Sequence, residues 1–267
     1  MISAAVLNDE VDAVLSLVEQ AEEHGPFSIS TSSLDSLTDS DNRDVVRSDV
    51  DEASWEEAET ALRRHTRLTA NFFLTTTAGA IIVAAGLAAS SGVTEATALV
   101  AGAIIAPVFE PLARIGLGAI NRKSHAIAHG IYSALLGYVT LIIVALLTML
   151  VLRAGGHGFV DEFRRSSTVH EVEHPPLINL VISAAGAVAG VVMISAGRFT
   201  QLAGPLVALQ LLPAAACVGI ALELGDGGLA ARSVGRLAID VGMVLVASLI
   251  VFTYKHAAVH GRRRSTH

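Results

Sequence analysis

The stretch "ATALVAGAIIAPVFEPLARIGLGAI", residues 96–120, decides the fold class. As a helix it is long enough to cross a bilayer, since about 20 residues at ~1.5 Å rise match a hydrocarbon core of roughly 30 Å. Yet Pro107, Glu110, Pro111 and Arg114 fall inside it. Each proline removes a backbone donor and crowds the turn before it, so a break is expected there. Glu110 and Arg114 stand four residues apart on one helical face and are costly in hydrocarbon without a partner. A lipid-facing anchor would carry none of these residues. The stretch reads as a discontinuous helix inside a multi-span protein.

Composition agrees. Apolar residues make up 52% of the 267-residue chain and charged ones 16%, with 23 glycines, a balance that suits close-packed membrane helices rather than a soluble core. Charge is unevenly spread: residues 1–62 hold 16 of the 25 acidic residues but two of the 18 basic ones. An acidic head outside the bilayer and a basic-edged membrane body follow, and nucleic acid is excluded as a partner of the head. The start of the chain has no basic segment followed by an apolar core, so the first span is expected to act as the insertion signal. Cys217 is alone in apolar surroundings and reads as a small buried hydrophobe.

Taken in order, residues 1–31 suggest a small cytoplasmic α/β unit: a short strand, a helix with Val11, Val14, Leu15 and Val18 on one face, and a second strand from Phe27. Residues 32–51, rich in Ser and Asp, read as an acidic linker, and 52–70 as a helix leading into the membrane. Six spans are expected, at 71–89, 95–119, 126–152, 177–196, 202–222 and 233–254. They form a first three-span unit, 71–152, a long external loop, 153–176, and a second three-span unit, 177–254, before a basic tail, 255–267. An even number of spans puts both termini on one side. Arg63, Arg64, Arg67, Arg122, Lys123, Arg198, Lys255, Arg262, Arg263 and Arg264 lie on that side, against Arg153, Arg164, Arg165, Arg232 and Arg236 on the other. This bias predicts cytoplasmic termini.

Residues 78–142 and 185–247 look like two copies. "AGA" at Ala78 recurs at Ala185, "IIAP" ending at Pro107 answers "QLLP" ending at Pro213, and Gly130 with Gly137 answers Gly235 with Gly242. An odd number of spans per copy would invert the halves, with broken second and fifth helices near the centre. The expected fold is therefore an all-α polytopic membrane protein of six spans in two inverted three-span repeats, plus the acidic α/β segment.

"GAIIAPVFEPLARIGLG", residues 102–118, resembles the "GAMLISPLMGPI" type of motif in membrane proteins of the domain of unknown function 389 family. "LLPAAACVGIAL", residues 211–222, resembles that family's second motif, of "LVPPLAVVGI" type. Gly102, Ala103, Pro107, Pro111, Pro213, Val218 and Gly219 fit the pattern; Ala106, Glu110, Ala214 and Asp240 stand where serine, glycine, proline and asparagine are typical. The resemblance covers most of residues 68–254. It implies a multi-pass protein of a prokaryotic inner or plasma membrane, with no activity assigned at family level.

The polar residues within spans are the candidate sites. Glu110, beside the proline break, suits backbone donors, a cation or a proton, or an internal ion pair with Arg114. Asp240 lies among apolar neighbours and is expected to face the bundle, and Gln210, three residues before Pro213, suits a polar solute or a helix contact. Gly102, Gly118, Gly130, Gly137, Gly186, Gly190, Gly219, Gly235 and Gly242 are expected to allow close packing. Thr75, Thr76 and Thr77 read as satisfying carbonyls of their own helix. His157, His170 and His174 in the long loop read as incidental surface histidines, so neither metal nor cofactor is expected. No "GxxxxGK[ST]" loop or hydrolase-type serine points to an enzyme. Two functions remain: a secondary transporter or channel for an ion or small polar solute, and a scaffold or sensor whose acidic head recruits a cytosolic partner. Small-residue faces also suit homo-oligomerisation.

Overall fold

Among the described residues, apolar periodicity resolves into helices and nothing else. The computed structural model describes residues 55–89, 91–156, 158–196 and 203–256, and among them there are ten helices and no strand. These are α1 (Trp55–His65), α2 (Ala70–Leu87), α3 (Gly92–Ile105), α4 (Glu110–Ile120), α5 (Ser124–Gly155), α6 (Phe159–Arg165), α7 (Ser167–Glu173), α8 (Leu177–Ser195), α9 (Ala203–Glu223) and α10 (Gly227–Lys255). The expected α/β unit at 1–31, the linker at 32–51 and most of the basic tail lie outside the described residues.

Local chemistry sets several boundaries. The Thr69 hydroxyl accepts the Phe72 N–H and starts α2, and Asp226 accepts the Leu229 N–H and starts α10. The chain does not run straight from α1 into the membrane as expected, because α1 stops at His65 and Thr66 to Thr69 turn the chain. The loop at 153–176 carries two short helices. Ser166 separates them, its Oγ accepting the Val169 N–H at 3.2 Å.

The expectation of six spans in two inverted repeats is corrected. Four helices, α2, α5, α8 and α10, are long and apolar enough to cross a membrane, and the bent pair α3–α4 brings the total to five when counted as one span. The expected fifth span corresponds to α9, whose described apolar stretch, Val207–Glu223, is shorter. It is enclosed rather than lipid-facing: every residue from 211 to 221 is buried, as befits a helix that is apolar all round. Nor is α9 broken. It runs on through Pro213, although a mid-helix proline costs about 3 kcal/mol in isolation, because helices packed around it hold the helix together. The two halves therefore differ where the repeat required them to match. Gly130 and Gly137 meet neighbouring helices, whereas Gly235 and Gly242 face open space.

Two elements make the centre. α9 packs against α10, α5, α3, α8 and α2, and α4 packs against α5, α10 and α1. Among the residues whose burial is described, neither α4 nor α9 exposes a large apolar side chain apart from Leu222. The surrounding helices do, with Leu74 on α2, Ile104 on α3, Ile143 on α5, Ile182 on α8 and Ile250 on α10 turned outward. In water such a surface would aggregate; against acyl chains it is the stable outcome. The molecule is a multi-pass membrane protein held by helix–helix contacts.

Candidate functional site

The break between α3 and α4 follows from its two prolines. Pro107 drives the residue before it out of the helical region, and Ala106 is extended, with φ −86° and ψ 120°. Helix resumes at Glu110, where Pro111 falls in the first turn and its missing N–H costs no intrahelical bond. The two segments meet at a bend of 44°. The bared backbone needs partners in an apolar interior, and the Tyr138 hydroxyl on α5 donates to the Val108 carbonyl at 3.2 Å.

Glu110 thus occupies the first position of α4, where the positive end of a helix dipole favours a carboxylate. Its Oε2 is buried with no hydrogen-bond partner among the described residues. The sequence offered Arg114 as its ion-pair partner, but the structure does not form that pair. Arg114 is buried and turns to α1's end of the bundle, donating to Thr66 Oγ1 at 2.6 Å. Thr66 is held in turn by Ser133, whose hydroxyl donates to the Thr66 carbonyl at 2.8 Å, so α4 and α5 are both tied to the turn before α2.

A second polar group crosses three helices. On α10, Arg236 Nε donates to Asp240 Oδ2 at 2.8 Å, an i,i+4 pair with both side chains almost fully buried. Arg236 Nη2 reaches Ser183 Oγ on α8 at 2.8 Å, and Ser183 Oγ donates to Gln210 Oε1 on α9 at 3.1 Å. Asp240 and Gln210 are therefore brought into one network, while Glu110 shares no hydrogen bond with it among the described residues. Asp240 Oδ1 and Arg236 Nη1 are buried with no hydrogen-bond partner among the described residues.

Sequence reasoning missed Arg236, Ser183 and Tyr138. Arg236 was assigned to the outer basic residues because it lies close to the start of α10. Its spacing of four from Asp240 was the usable signal. Ser183 and Tyr138 offered none, because their partners are distant in sequence. Among the glycines, Gly102, Gly118, Gly130, Gly137 and Gly219 meet neighbours as expected, and Gly190 is buried. Thr75 and Thr76 donate to the Asn71 and Phe72 carbonyls, and Cys217 is buried.

Against known families, a model described as "Domain of unknown function (DUF389)" matches residues 103–246, which is 144 of the 267 residues. The chain belongs to this family. No curated protein and no solved structure matches it. The DUF389 region opens inside α3 and closes inside α10. It contains the proline break, Glu110, Arg114, Tyr138, Ser183, Gln210, Arg236 and Asp240, so both polar groups belong to the DUF389 domain itself. Thr66, the partner of Arg114, lies outside it.

Proposed function

We propose that the protein is a non-enzymatic secondary transporter or channel of a prokaryotic inner membrane, passing an ion or small polar solute at the α3–α4 break. The observation that carries this reading is the buried, unpartnered Glu110 Oε2 beside a helix interrupted by two prolines. A carboxylate oxygen away from water costs several kcal/mol unless something coordinates it. Backbone groups of Phe109 and Glu110 reach the carboxyl, but no charged side chain among the described residues pairs with it, and Arg114, at the right spacing, is turned elsewhere. A partner that arrives and leaves fits the arrangement. Tyr138 supports the same place, since its hydroxyl steadies the interrupted backbone without neutralising the carboxylate.

Purified protein in sealed vesicles, tested with a panel of monovalent ions and small polar solutes, provides the test. Glu110→Gln keeps volume and removes charge, and is expected to lower flux by about tenfold, near 1.4 kcal/mol, with insertion and thermal unfolding little changed. Undiminished flux in Glu110→Gln would sink the role given to this residue. If nothing in the panel moves, and residues 1–50 retrieve one specific cytosolic partner, the scaffold or sensor function replaces transport.

Orientation rests on charge. Three crossings, α2, the bent pair α3–α4 and α5, separate Arg63, Arg64, Arg67, Arg122 and Lys123 from Arg153, Arg164 and Arg165, a bias that places the side before α2 in the cytoplasm. Cysteines introduced at Ser167 and at Ser124, both exposed, should differ in intact cells: an impermeant thiol reagent is expected to modify only the first. Buried Cys217 leaves a dark background. Modification at Ser124 from outside would reverse the orientation.

A further inference from the structure

The short helix α7 brings together three groups that the sequence left as unrelated surface residues. His170 and His174 stand four residues apart with ring centroids 5.3 Å apart, and the available ligand atoms of His170, Glu173 and His174 all lie within 4.8 Å of one another. We propose that these three side chains form a binding site for a borderline transition-metal ion of the Zn²⁺ class.

The donor set defines the class. Two neutral imidazoles and one carboxylate suit Zn²⁺, whereas Mg²⁺ and Ca²⁺ seek oxygen-rich shells. With bonds of about 2.1 Å, tetrahedral ligands sit roughly 3.4 Å apart, so side chains now up to 4.8 Å apart close in by at most about 1.4 Å. Both histidines are exposed and Glu173 is half-buried, which leaves room for that adjustment and for water in the remaining position.

The platform beneath them is fixed. Val169 and Val172 are buried under α7, which packs on α9 and α10. Ser166 caps the helix and donates from the same hydroxyl to buried Glu95 on α3 at 2.6 Å. Glu173 is oriented as well, since Arg232 on α10 donates to its Oε1 at 2.7 Å and leaves Oε2 to face a metal. Such outer contacts set the direction of a ligating carboxylate, although the guanidinium charge holds the affinity to a modest level. Glu171 accepts from Asn179 and is not among the groups whose ligand atoms converge.

The comparison within the molecule is His125 and His129 on α5, another i,i+4 pair, with ring centroids 4.2 Å apart. No third ligand joins that pair among the described residues. It supplies the control.

Isothermal titration of the full chain in detergent with Zn²⁺, carrying a tag without histidine, tests the site. The parent protein is expected to bind one more zinc ion at micromolar strength than His170→Ala/His174→Ala. Glu173→Gln should weaken that event by about tenfold, close to 1.4 kcal/mol, and His125→Ala/His129→Ala should leave it intact. Thermal unfolding without metal checks that each variant folds. The site is rejected if the parent and the His170/His174 variant take up the same number of ions with the same affinity, or if zinc does not bind at all. Loss of the event in the His125/His129 variant instead would move it to α5 and equally overturn the assignment.

Discussion

Asp240→Ala is expected to cost the folded protein about 3–5 kcal/mol, enough to remove a large part of a typical stability margin. Arg236 is the reason. Its guanidinium is buried and Nη1 already has no hydrogen-bond partner among the described residues, so losing Asp240 strands a charge that the surrounding α8 and α9 cannot hydrate. Removing both charges tells the pair's own worth from the penalty of an orphan. Arg236→Met/Asp240→Leu should recover most of the loss, because an apolar replacement of similar bulk costs little where a buried ion pair stood. Unfolding in mixed micelles, followed by far-ultraviolet circular dichroism, measures both variants. Lys123→Ala is the reference: it breaks an exposed pair with Glu59, 2.5 Å apart and open to solvent, and should shift stability by less than about 1 kcal/mol. An Asp240→Ala protein no less stable than Lys123→Ala would mean that the α8–α9–α10 network does not hold the bundle together.

Gly219→Ala is the second large effect, and it acts through shape alone. A Cβ at Gly219 would lie 2.2 Å from the Ile142 carbonyl oxygen and 3.0 Å from the Leu146 nitrogen, so backbone and not a pliant side chain stands in the way. α9 would have to move off α5. Overpacking of this kind costs about 1–3 kcal/mol where neighbours can shift, and the upper end is expected here because α9 is enclosed by other helices as well. Gly242→Ala should behave in the opposite sense. Nothing lies within 4 Å of a Cβ there, so the gain in helix propensity, up to about 1 kcal/mol, goes uncontested. Midpoints of unfolding for the two variants on either side of the parent would verify the contrast; equal midpoints would refute the close approach of α9 to α5.

The comparison of Pro107 with Pro213 shows how much of this fold could be seen in the chain. Both are prolines in apolar stretches, and local rules treat them alike. Pro107 does break its helix, helped by Pro111 four residues on and by Glu110, whose charge favours a helix start. Pro213 does not, since the packing around α9 outweighs a single missing hydrogen bond. That difference lies in tertiary contacts, which no window of sequence contains, and the inferred symmetry of the two halves failed on it. The candidate site divides in the same way. Glu110, Asp240 and Gln210 could be found because polar residues stand out against apolar neighbours. Arg236 resisted because basic residues near span ends are ordinarily counted as loop charges, and Tyr138 and Ser183 because such residues are common in helices of this kind. Arg114 was found but given the wrong partner: proximity along one helix favoured Glu110, while Thr66, 48 residues earlier, has the shorter path in space.

The enclosure of α9 also bears on the order in which the protein is built. α2, α3, α5 and α8 precede it in the chain, but α10, which lies along it and carries Arg236 to Ser183, is synthesised last. Until α10 arrives, the flank of α9 that it will cover has only lipid or the insertion machinery to meet, and the alanines from 214 to 216 offer acyl chains little to hold. Biogenesis of this bundle therefore ends in a sealing step rather than in the addition of one more outer helix. A nascent chain halted before Gly227 would carry an open groove where the finished protein has its centre, and would be a natural target for membrane quality control.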